Sequence, residues 1–244
     1  MLPPDDRAPS VGACVVLKNH VDGLWTVSDP ELTFVGVRMG TRATLLRLPS
    51  GGLLVHSPIA LTPALKSAVD ALGTVEHVVA PNLFHHLHVT DWTTAWPGSR
   101  LHANPKLARK RKDLPSFRSL SDDPDPDWGG ALAPSFFAGF DVLGETAFFH
   151  ESSGTLISAD LVENFQTVPD HWWTRSYLKL AGIHGKPGVS RLIAAMFNDR
   201  RAARRSVESL LERGFDRLTL CHGEVVETGA SDVFREAYDW LPRG

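Results

Sequence analysis

Apolar and polar positions alternate in short runs through the first quarter of the chain. Phe34-Val35-Gly36-Val37 and Thr44-Leu45-Leu46-Arg47-Leu48 predict two short strands. Pro49-Ser50-Gly51-Gly52 reads as a turn into a third, Leu53-Leu54-Val55-His56. The period then changes. Leu65, Val69 and Leu72 share one helical face, Thr62 can cap the helix, Pro63 suits its first position and Gly73 closes it. Residues 75–80 form an apolar run that stops at Pro81, which predicts another strand.

Strand, helix, strand is the unit of a layered α/β fold. A short strand near residues 100–102 precedes the run 106–112, where five of seven residues are basic. Residues 122–127, with four Asp and two Pro, read as a loop. Residues 146–150 and 155–159 predict strands joined by Ser152-Ser153-Gly154. Residues 170–188, with adjacent Trp172 and Trp173, are aromatic and carry no clear period. Residues 200–213 predict an amphipathic helix with Ala203, Val207, Leu210 and Leu211 on one face and Gly214 as its stop. A strand at 217–221 and a closing helix at 232–241 complete the pattern. With no repeat and no linker, one domain is expected over 24–244, after a tail and lead-in at 1–23. The Pro- and Asp-rich start, 1–10, is expected to be a flexible tail.

The 244 residues and 43% apolar content suit a single packed domain. A net charge of −3 gives no global pull towards nucleic acid or an anionic membrane. No apolar run reaches the roughly 18–20 residues of a membrane span, and the start lacks signal-peptide character. Cys14 and Cys221 make no disulfide framework. A cytoplasmic protein of small-molecule substrate or ligand is therefore expected, without nucleic-acid or membrane partners; the oligomeric state stays open.

Eleven histidines change the picture, because several stand where strands end. His56 closes the run from Leu53. His85 and His86 follow the run ending at Ala80. Asp160 follows 155–159, and His222 follows 217–221. Side chains just past strand ends can converge on one rim of a sheet sandwich, and imidazole with carboxylate is the ligand chemistry of zinc, iron or manganese. Each residue alone also has a plain structural role open to it: a capping Asp160, a turn residue in His222, a core imidazole in His56. His77 and His102, within strands, are expected to be structural, and Trp92, Trp96, Trp172 and Trp173 to be core residues more readily than pocket walls. There is no G-x-S-x-G elbow, P-loop or G-x-G-x-x-G.

From about Leu24 to Leu241 the sequence resembles the metallo-β-lactamase superfamily, which implies an αββα sandwich. Gly52-Leu53-Leu54-Val55-His56-Ser57-Pro58 looks like the early strand that usually ends in Asp. Val78-Val79-Ala80-Pro81-Asn82-Leu83-Phe84-His85-His86 stands where the family carries T-H-x-H-x-D-H. Thr155-Leu156-Ile157-Ser158-Ala159-Asp160-Leu161 looks like the strand ending in the metal-bridging Asp, and Leu220-Cys221-His222-Gly223 like the one leading to the last His. The phrases Ala80-Pro81-Asn82-Leu83-Phe84-His85-His86, Asp160-Leu161-Val162-Glu163-Asn164 and His222-Gly223-Glu224 are similar to an uncharacterised, mostly bacterial branch, a domain-of-unknown-function family.

Aligned on the strand, the first two motif histidines fall on Asn82 and Phe84, the Asp on His86 and the final His on Leu87. The third His of the first metal site, expected near 140–145, has no counterpart. The resemblance therefore implies a dismantled first site and a single divalent metal, zinc foremost, with iron and manganese as alternatives. Its ligands would be His86, Asp160 and His222, with His56 or His85 as additions; Asp160 and His86 would serve catalysis. A one-step slip would instead pair His86 with His88, leaving Asp91 one place late. The implied function is a metal-dependent hydrolase using a metal-activated water. Two alternatives stay open: an inactive binding module, and a non-haem iron oxidoreductase, which uses the same ligand types.

Overall fold

The computed structural model describes residues 16–242. The tail at 1–10 and Cys14 lie outside the described residues. The chain begins with β1 (Lys18–Val21), β2 (Leu24–Asp29), β3 (Thr33–Phe34), β4 (Val37–Arg38), β5 (Thr41–Arg47) and β6 (Leu53–His56). Then come α1 (Pro63–Leu72), β7 (Val75–Ala80), α2 (Val89–Ala95), β8 (Arg100–Ala103), α3 (Leu107–Lys110) and β9 (Phe117–Ser119). The second half runs β10 (Ala133–Phe136), β11 (Thr146–His150), β12 (Thr155–Ile157), β13 (Glu163–Asn164) and α4 (Trp172–Ala181). It ends with β14 (Pro187–Gly188), α5 (Arg191–Ala195), α6 (Arg200–Leu211), β15 (Arg217–Thr219) and α7 (Ala230–Ala237). Among the described residues, no helix is long and apolar enough to cross a membrane.

Two sheets carry the fold, one of seven strands ordered β1-β2-β5-β6-β7-β8-β9 and one of four ordered β10-β11-β12-β15. Strand alternation sorts their side chains into layers. Leu46, Leu54 and Val79 meet Phe148 and Ile157 of the other sheet, with Trp128 and Leu132 filling the space between. Their neighbours Leu45, Leu53, Val55 and Val78 turn outward onto Leu65 and Val69 of α1 and Val89 and Trp92 of α2. On the far side, Phe149, Leu156 and Leu218 pack against Ala203, Val207 and Leu210 of α6 and Phe234 of α7. Helix, sheet, sheet, helix is the order expected from the sequence.

The α1 signals act as read: the Thr62 side chain accepts from Leu65 N, and Gly73 N donates to Val69 O. Two segments differ. Residues 34–37, expected as one strand, are the turn of the β3–β4 hairpin, because Val35 and Gly36 adopt φ of 48° and 79°, as a two-residue hairpin turn requires. Residues 170–188 contain α4, whose buried residues Thr174, Leu178 and Ala181 follow helical spacing. Lys18–Val21, within the expected lead-in, pairs with β2.

Candidate metal centre

Parallel pairing sets the rim. β6 pairs parallel with β7, and β12 with β15, so the chain leaves each pair at the same end. β11 runs antiparallel to β12, so its start lies beside the end of β12. The two sheets are tied there by Leu83 N donating to Leu143 O and Thr146 N to Pro81 O. Loops after β7, β12 and β15 bring His85, Asp160 and His222 together, their ligand atoms all within 4.8 Å of one another.

His85 Nε2 and His222 Nε2 stand 3.1 and 3.2 Å from the same oxygen, Asp160 Oδ1. Each ring is oriented through its other nitrogen. His222 Nδ1 lies 2.8 Å from the Gly40 carbonyl oxygen, and His85 Nδ1 lies 2.7 Å from Ser57 Oγ. Ser57 in turn accepts from Cys221 Sγ at 3.1 Å. Burial works against a charged His85, yet Asp160 and Cys221 outweigh it and hold the ring well above the ordinary histidine value. Burial likewise opposes ionisation of Asp160, but His85 and His222 overcome it and keep the carboxyl far below the usual range.

Asp160 Oδ2 is held separately, by Asn82 Nδ2 at 2.8 Å. The same nitrogen donates to Glu145 Oε2 at 2.9 Å, while Asn82 Oδ1 accepts from Phe84 N and His85 N. Glu145 accepts further from Ala159 N and Asp160 N. Its burial, reinforced by the nearby Asp160 charge, raises its pKa to about 7. Glu145 stands in the stretch where the resemblance implies a third histidine, and the sequence reading passed over it. Strand ends alone miss it, because an antiparallel strand brings the residue just before its start to the same rim. A charged residue opening an apolar strand was the available signal.

The loops carrying Asp160 and His222 are laced together: Asn164 N donates to His222 O, Glu224 N to Asn164 O and Cys221 N to Ala159 O.

The other expected site residues fall elsewhere. His86 is buried one residue from the cluster but turned away, its Nδ1 accepting from Arg111 at 3.0 Å. Burial, then Lys110 and Arg111, push its pKa down to about 4. The strand-anchored alignment placed His86 at the metal, but successive residues of the tight turn after Asn82 face opposite ways, and His85 is the one presented. His56 points into the layer between the sheets with its ring edge-on to Phe148, and both ring nitrogens lack a hydrogen-bond partner. Burial lowers its pKa to about 3. His88 pairs with Asp91 on the exposed start of α2, which leaves the one-step slip without a cluster. Trp92 and Trp96 are core residues; Trp172 and Trp173 are exposed.

Comparison with solved structures decides the architecture. A metallo-β-lactamase from Pontibacter korlensis superposes with a TM-score of 0.65 at 12% identity, covering 93% of this chain and 99% of that one. The Pseudomonas aeruginosa metallo-β-lactamase FIM-1, in its mono-zinc form, gives 0.65 at 8% identity over 93% and 96%. The chain has the metallo-β-lactamase fold. A metallo-β-lactamase from Hirschia baltica adds a TM-score of 0.63 at 11% identity over 95% of this chain and 100% of that one. Within this fold, residues 21–108 match the family model of a domain of unknown function, DUF4336. No curated protein matches the sequence.

Proposed function

We propose that this metallo-β-lactamase-fold chain is a metal-dependent hydrolase-like protein with one divalent metal, zinc foremost, held by His85, Asp160 and His222. One observation carries the reading. A carbonyl oxygen only accepts, so His222 Nδ1 holds its proton towards Gly40, and Nε2, the nitrogen left to ligate, faces Asp160 Oδ1 at 3.2 Å. With His85 Nε2 on the same oxygen, three ligand atoms converge on one point that a cation could share. Two imidazoles and a carboxylate, each ring fixed through its second nitrogen, suit such an ion.

A divalent metal held there would supply Lewis acidity, activating water near neutral pH and polarising a carbonyl or phosphoryl oxygen. The chain's own residues do the rest. Ser57 and the Gly40 carbonyl set the planes of His85 and His222, and Asn82 holds Asp160 Oδ2 so that Oδ1 faces the histidines. The three side chains keep 11–12% of their surface exposed at the rim.

Asn82 supports a single metal. Its amide bridges Glu145 and Asp160 where the resemblance implies first-site histidines, and Phe84 cannot ligate. Metal analysis of purified protein should find one equivalent per chain, sharply reduced by Asp160→Asn and unchanged by His102→Ala. Two tightly bound metals would overturn the assignment. None after metal-supplemented growth would favour a binding module. The two-histidine, one-carboxylate set also favours a second reading, a non-haem iron oxidoreductase. A coloured, redox-active metal in place of zinc would select it.

A further inference from the structure

We infer that the β3–β4 hairpin and α4 form a docking surface for an anionic lipid bilayer. The inner face of α4, Thr174, Leu178 and Ala181, packs with Phe165, Ile183 and Met39. Its outer face sets large apolar side chains among polar ones: Trp172 is 72% and Leu180 75% exposed, Trp173 is also exposed, and Arg175, Ser176 and Lys179 stand between them. Exposed large apolar side chains gathered in one rimmed patch mark an interaction surface. The hairpin tip extends the patch. Val35 is 77% exposed, Phe34 is exposed beside it, and Gly36 lies against the Trp173 ring. Arg38 N donates to the Thr174 hydroxyl, so hairpin and helix form one surface, and Arg191 reaches Leu180 O to join exposed Leu192 to it.

Charge selects the occupant. Between 168 and 196 the chain carries Arg175, Lys179, Lys186 and Arg191 against a single acid, Asp170, and the hairpin segment 29–38 adds Arg38 against Asp29 and Glu31, on a protein of net charge −3. All four cations between 168 and 196 are exposed, and of them only Arg175 makes an ion pair among the described residues. Across a two-fold dimer interface this cationic rim would face its own copy. Against anionic headgroups it is complementary, and tryptophan and leucine set among lysine and arginine is the composition of an interfacial helix. Overall charge and the lack of a spanning segment do not sense such a local surface, which is why the sequence argued against membrane contact.

The full chain should co-sediment with phosphatidylcholine vesicles containing phosphatidylglycerol, and weakly with phosphatidylcholine alone. Trp172→Ser/Leu180→Ser, at two exposed positions, should cut binding by roughly tenfold or more with the thermal midpoint unchanged. Lys179→Glu/Lys186→Glu and added salt should each weaken it. Absence of vesicle binding, or equal binding by both variants, overturns the inference. So does concentration-dependent dimerisation that Trp172→Ser/Leu180→Ser abolishes without any vesicle binding, which would assign the patch to a second copy.

Discussion

Asn82 donates to Asp160 Oδ2 at 2.8 Å from the same nitrogen that reaches Glu145, so one neutral amide separates two buried carboxyl groups. Asn82→Ala would leave both acceptors facing each other and strand Phe84 N and His85 N. We expect a loss of about 3 kcal/mol in urea unfolding, since buried groups left unsatisfied cost roughly 1–3 kcal/mol each. A loss below about 0.5 kcal/mol, the usual size of a neutral surface change, would show that the bridge has no structural weight.

His85 and His86 are adjacent in sequence but opposite in direction, which separates the structural assignment from the sequence-aligned one. His85→Ala should weaken metal binding by more than about 100-fold, beyond the 10–100-fold usual for outer partners. His86→Ala should leave stoichiometry intact and remove one acceptor from Arg111, which keeps Asp113 and the backbone carbonyl of residue 86. Competition with a chromophoric chelator measures both, and the reverse order would restore the sequence alignment.

Acid sensitivity should trace to buried neutral histidines. His102 is buried against His77, at 2.9 Å, and burial followed by the His77 charge lowers its pKa to about 4. A folded value below the unfolded 6.5 means that the stability it contributes is present above pH 6.5 and lost as pH falls towards 4. The shift is worth about 3 kcal/mol at 1.36 kcal/mol per pH unit. His85 and Glu145, raised above their ordinary values, run in the opposite sense, so the comparison must be with His102→Asn. The stability difference between wild type and variant should be constant above pH 7 and shrink between pH 6.5 and 4. A pH-independent difference would contradict the buried-neutral assignment.

Gly223 fixes where His222 sits. Its φ is 92°, and a Cβ there would stand 1.9 Å from the Asn164 carbonyl oxygen. Gly223→Ala should therefore lower metal affinity and cost about 3 kcal/mol, combining left-handed strain with overpacking. Gly139→Ala is the control, with a Cβ 2.0 Å from Asp199 O and remote from the cluster. It should lower stability similarly and keep one metal per chain. Equal metal loss in both variants would reduce the Gly223 effect to general unfolding.

The sandwich was legible because its signals were local and consistent: period-two strands, a capped α1, the α6 stripe and glycine stops. Asp160 and His222 were legible as polar residues closing apolar strands. The His85–His86 choice was not, because it depends on which way a tight turn faces, and Asn82 sets that turn by accepting from the amide nitrogens of Phe84 and His85. Glu145 was hidden by strand direction. α4 was hidden because Trp172, Trp173 and Leu180 stand exposed beside Arg175 and Lys179, so no purely polar face marks its outer side.

Asp160 and His222 ride on loops stitched to each other, whereas His85 and both ring-orienting partners, Ser57 and Gly40, belong to the seven-stranded half. An ion gripping all three ligands is thus a clasp across the seam between two layers. Its affinity and the closure of that seam are conjugate quantities: each is strengthened by whatever free energy the other gains. Damage to Trp128 or Phe148, deep between the sheets and far from any ligand atom in sequence, would then register as weakened metal binding, and an ion in place would hold the halves together against urea.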